Sequence, residues 1–513
     1  MLAKIRSMAV LGIDAFEIGI EADISEMLPS FTIVGLPDGA VRESRERVMS
    51  AIKNCGFEFP ARKVTINMAP ADVKKEGSAF DLPIAIGLLM ASCQVSVESA
   101  SEYIIAGELS LDGSVKSVKG MLSMAICARE LGVRGMIVPK NNAREAAVAE
   151  GVSIFPVETL TEALEFLQKT KTILPYVTDL NSLFNQARHY PIDFKDVKGQ
   201  EHIKRALLVA AAGGHNIMMI GPPGSGKTML ARRLPTILPD LTLDEALETT
   251  KIHSIAGLLE PNIPLLAKRP FRSPHHTISD AGLIGGGSYP RPGEVSLSHH
   301  GVLFLDELPE FAKNVLENLR QPLEDGKVTI SRALMSLCYP ARFMLAAALN
   351  PCPCGFYTDP RHECSCSPQQ IQKYMSKISG PLLDRIDIHV EVPALSYEEL
   401  AQKTVSEDSA TLRDRVAKAR KIQTERFARE QKIFCNAHME AKHLRRHCIL
   451  ETGSQDLLKT AIEKLGLSAR AYDRILKVAR TIADLDEKEN IESCHIAEAI
   501  QYRSLDRKLW MGG

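Results

Sequence analysis

The chain has 513 residues, which at roughly 150 per domain points to about three domains. Its 45% hydrophobic and 24% charged residues are those of a globular protein and exclude a disordered or fibrous chain. The most apolar window, 80–93, holds Asp81 and Pro83 and is too short to cross ~30 Å of hydrocarbon, so no membrane partner is expected. Lys+Arg 62 against Asp+Glu 63 leaves a net charge of −1, so any nucleic-acid contact must rest on local loops or one domain face.

The N-terminus runs into alternating, strand-like sequence without a signal-peptide core, and the expected compartment is the cytoplasm. There the 11 cysteines should be thiols or metal ligands. Residues 1–168 alternate strand and helix signals. Ala9 to Ile13 and Ser30 to Gly35 read as buried strands. Val41, Val48, Met49 and Ile52 line one side of a helix that turns Arg42, Glu43, Arg45, Glu46 and Arg47 outward. Lys63 to Met68 is another strand signal, and Leu82 to Ala91 an apolar helix. Residues 169–193 are polar and loosely patterned, as in a linker.

Residues 194–393 are punctuated by Gly and Pro and carry continuous apolar runs: Asn216 to Ile220, Val302 to Leu305 and Phe343 to Leu349. Strands of a parallel sheet covered on both faces have this pattern. Residues 394–513 are helical by period, opening with a charged helix around Arg413 to Lys432 and closing with Leu467 to Asp484 and Ile491 to Arg503.

The motif Gly221-Pro222-Pro223-Gly224-Ser225-Gly226-Lys227-Thr228 follows an apolar strand and precedes a helix, which is the setting a phosphate-binding loop requires. Its backbone N–H groups cradle the phosphates of ATP, Lys227 reaches the β- and γ-phosphates, and the Thr228 hydroxyl holds Mg²⁺. Val302 to Leu305 ends in Asp306-Glu307. An apolar strand closing in two acids offers one carboxylate to Mg²⁺ (Asp306) and a second to deprotonate the attacking water (Glu307). An ATPase is expected.

Further motifs accompany these: Asp196-Val-Lys-Gly-Gln200, Arg272-Ser-Pro-His275-His276, Gly301 to Leu308, Asn350-Pro-Cys-Pro-Cys-Gly355, Gly380-Pro-Leu-Leu-Asp-Arg385-Ile-Asp387 and Leu467-Ser-Ala-Arg470. Together they resemble the ComM/YifB family of magnesium-chelatase-like AAA+ ATPases over nearly the whole length. The resemblance implies that Asn350 is sensor 1, which polarises the attacking water. It makes Arg385 the arginine finger given to a neighbour's γ-phosphate, and hence implies a homo-oligomeric ring, a hexamer. Arg470 matches sensor 2, and Gln200 the contact with the adenine region.

In the same clade a hairpin insert faces the central pore, here within Arg269 to His300, which contains Arg272, His275 and His276. A second candidate hairpin spans Lys327 to Arg342, with Arg332 near its turn. Basic loops of this kind grip a phosphate backbone or a polypeptide. The resemblance favours DNA, single-stranded or branched, and the lack of an aromatic pore loop disfavours protein threading.

Cys352, Cys354, Cys364 and Cys366 form two C-x-C pairs. Four thiolates there would close a structural tetrahedral Zn²⁺ site, with His362 able to replace one ligand; free or redox-active thiols are the alternative. Ala71 to Pro83 and Gly113 to Gly132 resemble the S5-like proteolytic domain of Lon. The lysines of the Lon pattern fall on Leu122 or Met124, so Ser78 has no matching base and no proteolysis is expected.

The expected fold is therefore multidomain α/β. It comprises a non-proteolytic Lon-like domain of S5 fold (1–168), a linker (169–193), an AAA+ P-loop core with parallel sheet and hairpin inserts (194–393), and a helical lid (394–513). The expected function is a motor coupling ATP hydrolysis to DNA translocation, as a helicase or branch-migration enzyme in natural transformation and homologous recombination. The alternatives are a magnesium-chelatase motor and a protein-remodelling ATPase.

Overall fold

The computed structural model describes residues 2–75, 77–97, 99–180, 184, 190–260, 263–287, 290–332, 335–357, 359, 361–394, 407–430 and 433–505. They form two compact units, Met1–Ala187 with Leu243–Ala267, and Arg188–Thr242 with Lys268–Gly513.

The first unit is built on a seven-stranded sheet in the order Ser30–Val34, Lys63–Ala69, Asp14–Ser25, Leu2–Leu11, Tyr103–Ile105, Gly135–Pro139, Ser153–Val157. Leu2–Leu11 pairs antiparallel with Asp14–Ser25 through a turn at Gly12-Ile13, so the first strand ends before Ile13 instead of running through it. Ser30–Val34 lies at the sheet edge with its side chains half-exposed or exposed, not buried as its apolar sequence suggests. An edge strand has one neighbour to cover it, and hydropathy alone does not reveal position in a sheet.

Helix Gly39–Asn54 buries Val41, Val48 and Ile52 and leaves Met49 half-buried. Arg47, expected outward, turns in. Its Nε donates to Asp81 Oδ2 at 2.6 Å and its Nη2 to Oδ1 at 3.0 Å, because the wholly buried Asp81 opens an apolar helix and needs a counter-charge.

Leu243–Ala256 falls inside the stretch that sequence places in the ATPase core, yet it clusters with the first unit. Its Ser254 hydroxyl accepts from the Gly120 N–H at 3.0 Å and donates to the buried carboxylate of Glu145 at 2.5 Å. Such small polar contacts leave no mark on hydrophobic periodicity.

The second unit is organised around a five-stranded sheet, all parallel, in the order Phe271–Arg272, Val302–Leu305, Met344–Leu349, Ile217–Ile220, Ile388–Glu391. The three central strands are the apolar runs read from sequence, and all are buried. Lys327–Arg332 and Met335–Pro340 form an antiparallel hairpin. Val328, Ile330, Leu337 and Tyr339 face inward and Thr329, Ser331, Ser336 and Cys338 outward, the period-two alternation of a half-covered ribbon.

The C-terminal part is helical: Ser409–Arg426, Ala441–His447, Thr452–Leu465, Ala469–Leu485 and Ser493–Gln501. Its apolar side chains share one core with the sheet. Among the described residues no helix is long and apolar enough to cross a membrane.

Candidate active site

Strand Ile217–Ile220 ends at Gly221, where the chain turns into the loop that starts helix Lys227–Ile237. A Cβ on Gly221 would strike the Val392 carbonyl, and Gly226 has φ +91°, so both positions require glycine. The loop thus presents its N–H groups at a helix N-terminus, as an anion requires.

Lys227 is only 8% exposed. Its ammonium donates to the carbonyls of Gly221 and Pro222, each at 2.8 Å, and to Asn350 Oδ1 at 3.3 Å. Burial lowers its pKa to about 8, against the opposing pull of Asp306 and Glu307. The loop carbonyls therefore occupy the lysine where phosphate oxygens would, and the ammonium is poorly compensated until an anion arrives.

The Thr228 hydroxyl donates to Asp306 Oδ2 at 2.6 Å, so the two oxygens proposed for Mg²⁺ are adjacent. They supply the hard oxygen donors that this cation takes. Glu307 follows with φ +53°, where the backbone leaves the extended conformation of the strand. Asn350 stands directly after strand Met344–Leu349, beside Lys227. Gln200 is buried, donates to the Ser225 carbonyl at 2.9 Å, and leaves its own Oε1 without a partner. Lys227, Thr228, Asp306, Glu307, Asn350 and Gln200 are thereby gathered around one loop.

Arg385 and Arg470 form a second locus. Among the described residues neither is bonded to residues 221–228. Arg385 is 8% exposed; its Nη1 donates to the Pro381 carbonyl at 2.5 Å and its Nη2 pairs with Glu324. Burial lowers its pKa, and the nearby Arg320, Arg470 and Arg474 lower it further. The Arg470 side chain is 64% exposed and lies 3.4 Å from Asp384. Each guanidinium of this cluster is paired with a carboxylate, Arg385 with Glu324, Arg320 with Glu317, Arg470 with Asp384 and Arg474 with Asp387.

The residues expected at the pore are variously engaged. Arg272 pairs with Glu294 through two bonds of 2.6 and 2.7 Å. His276 Nδ1 lies 3.4 Å from Glu307, and His275 contacts Thr277. Arg332, at the end of its hairpin strand, is exposed and reaches the Gly287 carbonyl at 3.4 Å.

The four cysteines converge, with ligand atoms all within 4.8 Å of one another. Cys352 Sγ lies 3.3 Å from Cys354 and 3.7 Å from Cys364, and Cys354 lies 3.6 Å from Cys364. Four sulfurs each ~2.3 Å from a tetrahedral ion would stand about 3.8 Å apart, so the set fits a single metal. Backbone N–H groups of Cys354 and Tyr357 point at Cys366 and Cys352 Sγ, each at 3.4 Å, which suits thiolates. His362 pairs with Asp359 at 3.1 Å instead of joining the cluster.

Residues not singled out from sequence also belong to these sites. His215, Asp387 and Arg474 interlock behind Arg385, and Arg320 joins its arginine cluster. Burial, with Glu310 and Glu307 nearby, pushes the Tyr374 phenol up from its ordinary pKa. The signal for Asp387 was its place at the end of the motif Gly380 to Asp387, and for Arg474 its spacing, one helical turn after Arg470.

A phosphate-binding loop and an acid-tipped strand on a five-stranded parallel sheet, with a helical C-terminal part, define an AAA+ ATPase of the magnesium-chelatase class, which works on ATP with Mg²⁺. The family described as magnesium chelatase, subunit ChlI, matches residues 193–400; the related ChlI descriptions match 20–142 and, for the C-terminal region, 406–503. Competence protein ComM of Haemophilus influenzae is 45% identical over 99% of this chain and 98% of its own length. Protein YifB of Escherichia coli is likewise 45% identical over 99% and 98%. The magnesium-chelatase subunit ChlI of Euglena gracilis is 21% identical over 61% of this chain and 88% of its own. The chain belongs to the ComM/YifB family.

Proposed function

We propose that this chain is a cytoplasmic, ring-forming motor that couples ATP hydrolysis to movement along DNA. Its work would be unwinding or branch migration as incoming DNA is recombined in natural transformation. The observation that carries the reading is the assembled ATP site in the same compact unit as a hairpin with Arg332 exposed at its end. The name of the Haemophilus relative, a competence protein, supports the choice of DNA.

In this reading Lys227 leaves the loop carbonyls for the β- and γ-phosphates, and Thr228 and Asp306 hold Mg²⁺. Glu307 takes the proton of the attacking water, Asn350 orients that water, and Gln200 lies toward the adenine. Arg385 acts on the γ-phosphate bound by a neighbouring copy, Arg470 senses nucleotide from the lid, and six copies close the ring. Arg332 and the loop holding Arg272, His275 and His276 meet phosphates of DNA. The four thiols hold a structural Zn²⁺ that pins the segment after Asn350. The N-terminal domain, 1–168, guides DNA or assembly and not proteolysis; the Ser78 hydroxyl donates to Glu108, not to a lysine.

The test is steady-state ATP hydrolysis with and without single-stranded, forked and four-way DNA at fixed salt. Strong stimulation that vanishes in Lys227→Ala supports a DNA motor. Hydrolysis indifferent to every DNA but raised by unfolded protein refutes it in favour of polypeptide remodelling. Stimulation only by a chelatase partner subunit refutes it in favour of metal insertion.

A further inference from the structure

Four consecutive residues, Asp384 to Asp387, are each held by a different side chain. Arg470 Nη1 donates to Asp384 Oδ2 at 3.4 Å. Asn216 Nδ2 donates to the Arg385 carbonyl at 2.8 Å, while its Oδ1 accepts from the Leu345 N–H at 2.8 Å on the strand that leads to Asn350. Arg503 Nη1 donates to the Ile386 carbonyl at 2.5 Å. Asp387 is clasped on both carboxylate oxygens, by Arg474 and by His215 Nδ1 at 3.2 Å.

The partners come from few elements. Arg470 and Arg474 lie one turn apart on helix Ala469–Leu485, so they share a face. His215, wholly buried, places its Nε2 2.8 Å from the Thr481 hydroxyl of the same helix. The helix therefore reaches Asp387 twice, directly through Arg474 and indirectly through His215.

Asp387 is buried, and burial opposes its charge; Arg474 and the hydrogen bond with His215 more than offset this and hold the carboxyl below the usual carboxylate range. A buried carboxylate parted from such partners is strongly unfavourable. If the helix shifts, Asp387 must follow, and Arg385 is two residues away on a segment pinned at every position.

We propose that Asp387 is a positioning residue: clasped between His215 and Arg474, it ties Arg385 to the helix that carries Arg470, so that the two arginines move as one body. The inference rests on the reading of Arg385 as a finger and Arg470 as a nucleotide sensor. Both arginines would thereby be offered together to the nucleotide bound by the neighbouring copy.

The experiment uses the full chain and measures kcat and KM for MgATP, equilibrium nucleotide affinity and the melting midpoint. It compares Arg474→Met, Arg474→Lys, Asp387→Asn, Arg470→Ala and the double variant Arg474→Met/Arg470→Ala, with Arg385→Ala alongside. Expected is a kcat loss of about tenfold or more in Arg474→Met and Asp387→Asn, with KM and affinity within about twofold, and partial rescue in Arg474→Lys. The double variant should be no slower than Arg470→Ala alone, since both cut one linkage.

An unchanged kcat in Arg474→Met overturns the proposal, as do losses that multiply in the double variant. A lowered melting midpoint with kcat per folded ring unchanged also overturns it, by leaving only a structural role. If Asp387→Asn does not fold, the two Arg474 variants decide. Full hydrolysis in Arg385→Ala would refute the finger reading itself, which separates that failure from failure of the tie.

Discussion

Raising the pH above 8 should weaken nucleotide binding through one residue, Lys227. Its ammonium is packed against the Gly221 and Pro222 carbonyls, and burial, as the chief influence, lowers its pKa to about 8. The phosphates of ATP, already ionised at this pH, favour the charged form and return the pKa toward or above its ordinary 10.5. The bound state therefore holds more protons than the free state between these values. By linkage, affinity is complete below pH 8 and falls with rising pH, approaching about tenfold per unit.

At pH 8.5 a group titrating at about 8 is neutral in about three-quarters of molecules, so binding should take up about three-quarters of a proton. Calorimetric titration of a non-hydrolysable ATP analogue in two buffers of different ionisation enthalpy counts that proton. Lys227→Met should bind more weakly and lose the uptake. No uptake in the native chain, or equal uptake in Lys227→Met, would refute the reasoning.

Glu307→Gln should bind ATP with near-native affinity and hydrolyse it on the order of 10² to 10⁴ times more slowly, measured in single turnover. Arg385→Ala should still assemble but lose roughly 10³ in kcat, and mixing it with Lys227→Ala chains should restore part of the rate if the arginine serves a neighbour. Elemental analysis should find Zn²⁺ bound to the native chain and absent from a Cys364→Ser, Cys366→Ser variant; absence from both would remove the metal site. Arg47→Met strands the buried carboxylate of Asp81 and should cost about 2 kcal/mol, part of the full penalty for a broken buried pair because Arg47 is itself partly exposed; denaturant unfolding measures it.

The hydrolytic chemistry was legible because it is local. Residues 221–228 and Asp306-Glu307 are contiguous, and their neighbouring apolar strands declare the sheet that positions them. The three central strands and the helices Gly39–Asn54, Asp81–Ala91, Ser409–Arg426, Ala469–Leu485 and Ser493–Gln501 followed from local pattern for the same reason, whereas Glu201–Gly213 and Thr452–Leu465 were not read. Ser30–Val34 was misjudged as buried, since place within a sheet is not a property of one strand. Arg47 was misjudged as outward, since the acid it serves lies 34 residues along the chain.

By itself, then, the sequence determined the ATP-binding loop, the acids beside it, the parallel sheet beneath and the family. Only the tertiary structure decided what each charge is spent on. It turned Arg272 onto Glu294, brought His276 to Glu307, closed the cysteines around one point and clasped Asp387 between His215 and Arg474. It also drew Leu243–Ala256 out of the ATPase unit and into the other. The physical reason is common to all of these: backbone geometry is written in neighbouring residues, whereas the pairing of a buried charge depends on whichever distant groups the fold sets against it.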